Sequence, residues 1–166
     1  MIIRPAYLDD LAQLVSIARM VVRDMHRQSI QQWTDLYPGY RDFFHDLSQD
    51  GLYVCCEDTR IIGSISCLKE NEPFYHEISW LGTHALVVHR IMVHPDYRHL
   101  GIGKKLFLHA IQTAIAMGCD TLKVDTHPDN HRMIQLIQSL GFREQGYIPS
   151  MHRIGYEIPL QKESTS

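Results

Sequence analysis

The sequence predicts a mixed α/β domain of the α+β type, with a central sheet of six or seven mostly antiparallel strands and about four flanking helices. Segments with apolar residues spaced by three and four alternate with shorter β-branched segments, in the order β, α, α, β, β, β, α, β, α, β, β. Two consecutive strands are joined by a short turn at 58–60, which indicates an antiparallel hairpin. These two observations predict helices packed on one sheet.

Composition indicates an ordinary globular protein. The 166 residues are 45% hydrophobic and 21% charged, and we expect one domain over 1–160 followed by a polar tail at 161–166. A net charge of -3 disfavours binding to nucleic acid or to an anionic membrane. The N-terminus does not resemble a signal peptide, and no apolar stretch reaches the roughly 18 residues of a membrane span. The four cysteines are expected as buried thiols, and the location as cytoplasmic.

The first half of the chain predicts a strand, two helices and the hairpin. An edge strand over 1–4 ends at Pro5, and Asp9 is the expected N-cap of the first helix. The apolar stripe of that helix comprises Leu11, Leu14, Val15, Ala18, Val21, Val22 and Met25. A second helix is predicted over 40–47, and the hairpin strands over 52–57 and 61–68.

The second half predicts four strands and two helices. One strand ends at Val93, and the helix after it ends at Gly118. In the strand over 121–126, Leu122 and Val124 are expected to face the core, with Lys123 and Asp125 on the opposite side. Asn130 is expected to cap a helix that closes at Gly141, and strands over 142–148 and 152–160 complete the sheet.

A glycine-rich loop follows the strand that ends at Val93. Gly101 and Gly103 allow close approach of the backbone, and the N–H groups of the helix that follows suit an anion. A P-loop is disfavoured, because Arg98 occupies the position of the first glycine of that motif and Lys105 occupies the position of its Ser or Thr. A dinucleotide motif is disfavoured because Leu106 replaces its third glycine. A glycine turn without a ligand stays open.

Two coupled motifs resemble those of the GNAT N-acetyltransferases. The run from Arg98 to Gly103 is similar to the R/Q-x-x-G-x-G/A signature of that family, after a strand that ends Ile91-Met92-Val93. The segment from Asn130 to Phe142 is similar to N-x-x-A-x-x-x-Y-x-x-x-G-F, with Ile137 in place of the tyrosine. The resemblance implies a GNAT fold and an acetyl-CoA-dependent N-acetyltransferase.

The resemblance also implies a binding site for coenzyme A. Backbone amides of the loop would bind the pyrophosphate, and the strand before it would bind the pantetheine arm through its backbone. Arg98 would shape the loop or contact a phosphate, and Asn130 would contact the pantetheine or simply cap its helix. The expected cofactor-binding residues are Ile91, Met92, Val93, Arg98, His99, Leu100, Gly101, Ile102, Gly103, Lys104 and Asn130.

Three kinds of group are candidates for catalytic roles. The N–H of Val93 would polarise the thioester carbonyl, at about 3 kcal/mol if well aligned. Because Ile137 replaces the usual acid, Tyr147 is the candidate to protonate the thiolate, although a structural tyrosine is the alternative. Asp125 is the first candidate for the base that deprotonates the amine, with Glu77 and His89 next, and a structural role is the alternative for each.

The acceptor is expected to be a primary amine of a small molecule or peptide. The aromatic residues Trp33, Tyr37 and Trp80 fall in the irregular segments 27–40 and 69–83, and Asp35, Asp46 and Glu77 are nearby in sequence. Aromatic rings and carboxylates together suit a cationic amine. The alternative is that these aromatic residues only anchor loops. The scattered histidines are interpreted as surface residues, so no metal is expected. Homodimerisation stays open, and a GNAT module that binds acyl-CoA without catalysis is the alternative function.

Overall fold

The computed structural model describes residues 1–161, so most of the predicted tail at 161–166 lies outside the described residues. The helices are α1 Leu11–Arg27, α2 Tyr40–Ser48, α3 Ile102–Ala116 and α4 His131–Ser139, with short 3-10 helices at Leu8–Asp10, Tyr75–Glu77 and Pro95–Tyr97. The strands are β1 Ile2–Pro5, β2 Leu52–Glu57, β3 Arg60–Leu68, β4 Ala85–Val93, β5 Thr121–Thr126, β6 Arg143–Ile148 and β7 Arg153–Pro159. In this part of the chain, no helix is long and apolar enough to cross a membrane.

The strands form a seven-stranded sheet in the order β1-β2-β3-β4-β5-β7-β6. The pairs β1–β2, β2–β3, β5–β7 and β6–β7 are antiparallel, and β4–β5 is parallel, with Ala85 to Val87 opposite Thr121 to Lys123. The predicted α+β fold with a mixed, mostly antiparallel sheet is confirmed. The described residues form two compact units: Met1–Cys67 with His89–Phe107, and Leu68–Val88 with 108–161.

In the first unit, α1 buries its predicted stripe on the sheet. Leu11, Leu14, Ala18 and Val22 are fully buried, and Ile17, which the predicted stripe omits, is buried too. The core they join also contains Trp33, Phe43, Leu52, Val54, Cys56, Ile61 and Met92. The spacing by three and four therefore identified the buried face of this helix.

The predicted N-cap of α1 is wrong. Asp9 lies inside the 3-10 helix Leu8–Asp10, and α1 begins two residues after it at Leu11. The Asp10 carboxylate accepts hydrogen bonds from the N–H of Tyr7 (2.7 Å) and from the Arg4 guanidinium (2.8 Å). Asp10 thus accepts from the N–H of Tyr7, the residue before the 3-10 helix, so a 3-10 turn is closed ahead of α1.

The second unit covers one face of its sheet with an irregular segment. Tyr75, Ile78 and Trp80 pack there with Val87 and with the buried Ile148. Lys123 lies beneath this segment: the residue is 6% exposed, and its Nζ lies 4.7 Å from the centre of the Trp80 ring. Burial lowers the pKa of Lys123, although the negative charge of Glu157 opposes this.

The four cysteines, Cys55, Cys56, Cys67 and Cys119, are free and buried, as predicted. Burial raises the pKa of the Cys67 thiol to about 12, and the nearby Asp46 carboxylate adds to the shift. The Cys67 thiol is therefore a poor nucleophile at neutral pH.

Candidate active site

The glycine-rich loop enters α3 through two left-handed residues. His99 has φ of +64° and Gly101 has φ of +76°. The first hydrogen bond of α3 runs from the N–H of Lys105 to the carbonyl of Gly101 (3.1 Å), so the N–H groups just before Lys105 precede the helical ladder. A Cβ added at Gly101 would meet no atom within 4 Å. An open surface beside unpaired helix N–H groups fits a pyrophosphate.

Arg98, at the start of the loop, is tied to α1. Its guanidinium forms an ion pair with Asp24 (2.7 Å), and each side chain is only about one fifth exposed. Of the two expected roles for Arg98, this contact corresponds to shaping the loop. It joins the loop to a helix whose other face is in the core.

The strand before the loop is interrupted at Arg90, whose φ of +47° is left-handed in the middle of β4. Such a residue breaks the regular alternation of a strand and re-aims the residues after it. Beyond it, the N–H of His94 donates to the carbonyl of Ile62 in β3 (2.8 Å). Because successive N–H groups of an extended strand point to opposite edges, the N–H of Val93 points away from β3.

The Arg90 side chain is held by a buried carboxylate. Its Nε donates to Oδ2 of Asp46 (2.6 Å), its Nη2 donates to Oδ1, and Asp46 is fully buried on α2. Ser66 on β3 donates to the same Oδ2 (2.5 Å), and Nη1 of Arg90 donates to the hydroxyl of Tyr37 (3.0 Å). Burial alone would lower the pKa of Arg90, but the hydrogen bonds and charge of Asp46 raise it.

The two aromatic residues predicted near the acceptor in the first unit differ in exposure. Trp33 is 6% exposed and belongs to the core under α1, whereas Tyr37 is 37% exposed. Thr34 and Tyr37 pair through their backbones, and Arg19 on α1 donates to the carbonyls of Thr34 (3.2 Å) and Pro38. Asp46 is not available to an acceptor cation, because Arg90 and Ser66 occupy its carboxylate.

Asp125, the first base candidate, lies near the end of β5 in the second unit. Its Oδ2 accepts a hydrogen bond from the hydroxyl of Tyr75 (2.6 Å), and its Oδ1 is 3.9 Å from Nε of Arg153. Burial raises the pKa of Tyr75 well above its usual value, and the Asp125 charge adds to this. Tyr75 is therefore a neutral donor to this carboxylate at any pH at which an acetyltransferase would be assayed.

Tyr147, the candidate acid, forms a small polar cluster with two histidines. Its exposed hydroxyl lies 2.5 Å from Nδ1 of His152, whose ring contacts His127 edge to face at 4.8 Å. Burial lowers the pKa of His127, helped by the positive charge of Arg153 and by His152. His127 is also four residues from His131, but the two do not share a helix, and residues 1–161 contain no group of three metal-ligating side chains.

The other candidates of the second unit have structural contacts. Glu77 accepts hydrogen bonds from the N–H (3.1 Å) and hydroxyl (2.9 Å) of Ser150. Trp80 packs on Tyr75, and a Cβ at Gly155 would lie 2.7 Å from its ring. For Trp80, this packing matches the loop-anchor alternative. His89, a candidate in the first unit, is buried within β4.

Asn130 caps α4, because its Oδ1 accepts a hydrogen bond from the N–H of Met133 (3.3 Å). Ile137, on the next turns of α4, is fully buried. The position at which the resembled family has a tyrosine therefore carries an apolar core side chain in this protein.

The family of this chain follows from its match to a family model. Residues 17–142 match the model of the acetyltransferase (GNAT) family. The chain belongs to the GNAT family. Membership in this family carries with it the enzyme class predicted from the two motifs, an acetyl-CoA-dependent N-acetyltransferase.

Individual GNAT relatives are distant in sequence. An uncharacterized N-acetyltransferase of Methanocaldococcus jannaschii is 26% identical over 110 residues, which are 64% of this chain and 45% of that protein. The thialysine N-ε-acetyltransferase of Sus scrofa is 26% identical over 126 residues, 75% of this chain and 71% of that enzyme. This chain thus spans less than half the length of the archaeal relative.

Solved structures share the GNAT fold along nearly the whole chain. A GNAT acetyltransferase from Streptococcus agalactiae superposes with a TM-score of 0.84 at 24% identity, covering 97% of this chain and 96% of its own. A Salmonella typhimurium protein assigned as an acetyltransferase was solved with acetyl-CoA. It superposes with a TM-score of 0.75 at 19% identity, covering 100% of this chain and 97% of its own. These matches confirm the GNAT fold predicted from the sequence.

The contacts of two residues, one in each unit, escaped sequence reasoning. Arg90 lies in the strand before the glycine-rich loop, and nothing in its neighbours signals a left-handed backbone. Tyr75 is 50 residues from Asp125, so only the folded chain brings the hydroxyl and the carboxylate together.

Proposed function

We propose that this protein transfers the acetyl group of acetyl-CoA to a primary amine of a small molecule or peptide, by direct attack in a ternary complex. The observation that carries the proposal is the loop before α3, with His99 and Gly101 left-handed and the first helical N–H groups outside the ladder. Acetyl-CoA supplies an activated thioester. The loop amides bind its pyrophosphate, with Gly103 in close approach, and Ile91 and Met92 bind its pantetheine arm.

In the proposed reaction, the N–H of Val93 donates to the thioester carbonyl and Asp125 deprotonates the acceptor. A primary amine with a pKa near 10 is only about one part in a thousand neutral at pH 7, a cost of about 4 kcal/mol that a base relieves. A thiol of pKa near 8.5 can leave unprotonated for about 2 kcal/mol. The reaction therefore tolerates Ile137, and Tyr147 is not required as an acid.

The acceptor is proposed as an aliphatic amine. The porcine relative is named for acetylating the ε-amine of thialysine, and two structural neighbours are named as ribosomal-protein-alanine N-acetyltransferases. We therefore choose lysine-like amines and peptides with an N-terminal alanine as the first panel. Tyr37 is the proposed acceptor contact in the first unit, being more exposed than Trp33. The reducing cytoplasm is the proposed compartment, since all four thiols are free.

The test follows free thiol while the protein is incubated with acetyl-CoA and each amine, with acetylated product identified by mass spectrometry. We expect thiol release that depends on the amine. A Gly103→Glu variant should lose affinity for CoA, because its carboxylate would oppose the pyrophosphate. Gln112→Glu, at an exposed position further along α3, introduces the same charge and is the control. Unchanged CoA affinity in Gly103→Glu would refute the assignment of the loop.

A second candidate function is a GNAT module that binds acyl-CoA without transferring the acetyl group. The burial of Ile137 at the usual position of the acid favours it. Tight CoA binding with no thiol release for any amine would support the module, and absence of CoA binding would contradict both functions.

A further inference from the structure

We infer that Arg90 is a positioning residue, whose anchored guanidinium holds the break in β4 that aims the N–H of Val93. This inference rests on the proposed function for its catalytic consequence. Arg90 does not need to touch either substrate, because it would act through the three residues that follow it on the strand.

The left-handed backbone conformation of Arg90 has to be stabilised by contacts outside β4. Residues other than glycine adopt left-handed φ rarely, and they keep it in a strand only when the surroundings enforce it. At φ of +47°, Arg90 interrupts β4 three residues before Val93. Relaxation of residue 90 to an extended conformation would restore the alternation of the strand and turn the segment after it.

The side chain of Arg90 supplies that stabilisation. Asp46 is fully buried and grips the guanidinium at two points, through Nε and Nη2. Ser66 fixes the carboxylate from β3, so the anchor is attached to two neighbouring elements of the first unit. A planar two-point ion pair restricts rotation of the guanidinium, which a single-point contact would not do.

The outer edge of the same guanidinium reaches the Tyr37 hydroxyl (3.0 Å). Tyr37 is part of the Thr34–Pro38 turn that Arg19 clamps to α1. Arg90 therefore connects the strand of the proposed carbonyl donor with the proposed acceptor turn, and both lie in the first unit.

Two matched double variants separate positioning from stability. Asp46→Asn with Arg90→Gly and Asp46→Asn with Arg90→Met both remove the ion pair and the buried charge, but only glycine adopts left-handed φ without strain. We expect kcat to be at least about tenfold higher in the glycine variant, with similar KM for acetyl-CoA. A purely structural ion pair predicts equal or lower kcat for glycine, which would overturn the inference.

A second measurement does not need turnover. In amide NMR spectra, the Val93 signal should stay near its wild-type position in the glycine variant and move in the methionine variant. Equal displacement in both variants would also overturn the inference. If wild-type protein shows no turnover, the proposed function fails while this spectral comparison still decides the role of Arg90.

A milder substitution guards against loss of folding. Arg90→Lys keeps a positive charge beside Asp46 but not the two-point contact, so kcat should fall about three- to tenfold at unchanged KM for acetyl-CoA. Arg41→Lys, an exposed arginine on the same helix as Asp46, is the control and should match wild type. Equal kcat in Arg90→Lys and Arg41→Lys would contradict the inference.

Discussion

The hydroxyl of Tyr75 donates a 2.6 Å hydrogen bond to Oδ2 of Asp125. Tyr75 is buried and belongs to a 3-10 helix, whereas Asp125 lies on β5. The bond orients the carboxylate that we propose as the base, so it has consequences for stability and for catalysis.

Tyr75→Phe should lower the free energy of unfolding by about 1.5–3 kcal/mol, the usual range for a hydrogen bond to a charged group. The measurement is denaturant unfolding at neutral pH. Tyr40→Phe is the control, because Tyr40 is half exposed and its ring stacking on Phe44 survives the change. Equal stability of the two variants would show that the Tyr75 hydrogen bond contributes nothing.

Asp125→Asn should remove the acidic limb of the pH profile of kcat/KM, because an amide cannot accept the proton of the acceptor amine. The profile is measured with the best amine of the panel. Asp129→Asn, an exposed carboxylate close in sequence, should keep the wild-type profile. Retention of the wild-type profile in Asp125→Asn would eliminate Asp125 as the base.

Gly101→Ala should weaken CoA binding by at least about fivefold, because the added methyl group lies on the open side of the loop. Gly118→Ala is a matched control: Gly118 has φ of +75° against +76° for Gly101, and neither site offers a steric contact within 4 Å. Both changes should cost about 1–2 kcal/mol of stability from backbone strain. Calorimetric titration with CoA separates them, and an equal loss of affinity would contradict the role of Gly101.

The ion pair of Arg4 with Asp10 should make part of the stability dependent on pH. Burial raises the pKa of Asp10, but hydrogen bonds from Arg4 and from the N–H of Tyr7 outweigh it, so the net pKa is below 3.8. Because its pKa is lowered in the folded state, ionised Asp10 stabilises the fold at pH values above the ordinary pKa of a carboxyl group. This stabilisation disappears as the pH falls through the pKa of Asp10 in the folded protein. Asp10→Asn should therefore cost about 0.5–1 kcal/mol at pH 7 and progressively less below about pH 4. Urea unfolding at several pH values tests this, and a constant difference would contradict it.

Glu157→Gln should destabilise the second unit by about 1–3 kcal/mol. Glu157 is 1% exposed, and its carboxylate accepts from the N–H of Leu81 (2.5 Å) and the hydroxyl of Thr121 (2.9 Å). In glutamine, an NH2 group replaces one of the two carboxylate oxygens. It would face one of these two donors and could not accept its hydrogen bond. Glu144→Gln, at an exposed position of β6, is the control for thermal unfolding. Equal melting temperatures would refute the anchoring role of Glu157.

Local patterns were sufficient for most of the architecture. The predicted bounds 52–57 and 121–126 are those of β2 and β5, because turn residues and β-branched content act over a few neighbouring positions. Contacts between side chains of distant segments were harder to predict. Alternation separated Lys123 from Leu122 and Val124, but it did not indicate that the ring of Trp80, 43 residues away, lies against the Lys123 ammonium.

The sequence by itself determined the order of elements, the buried face of α1 and the loop at Gly101, since each depends on residue types a few positions apart. Only the tertiary structure decided the conformation of Arg90 and the partners of Asp46 and Asp125. Arg90 and Asp46 are 44 residues apart, and the left-handed backbone of Arg90 occurs together with the hydrogen bond of its guanidinium to this buried carboxylate. Contacts of this kind depend on how distant elements pack, and no short stretch of sequence contains that information.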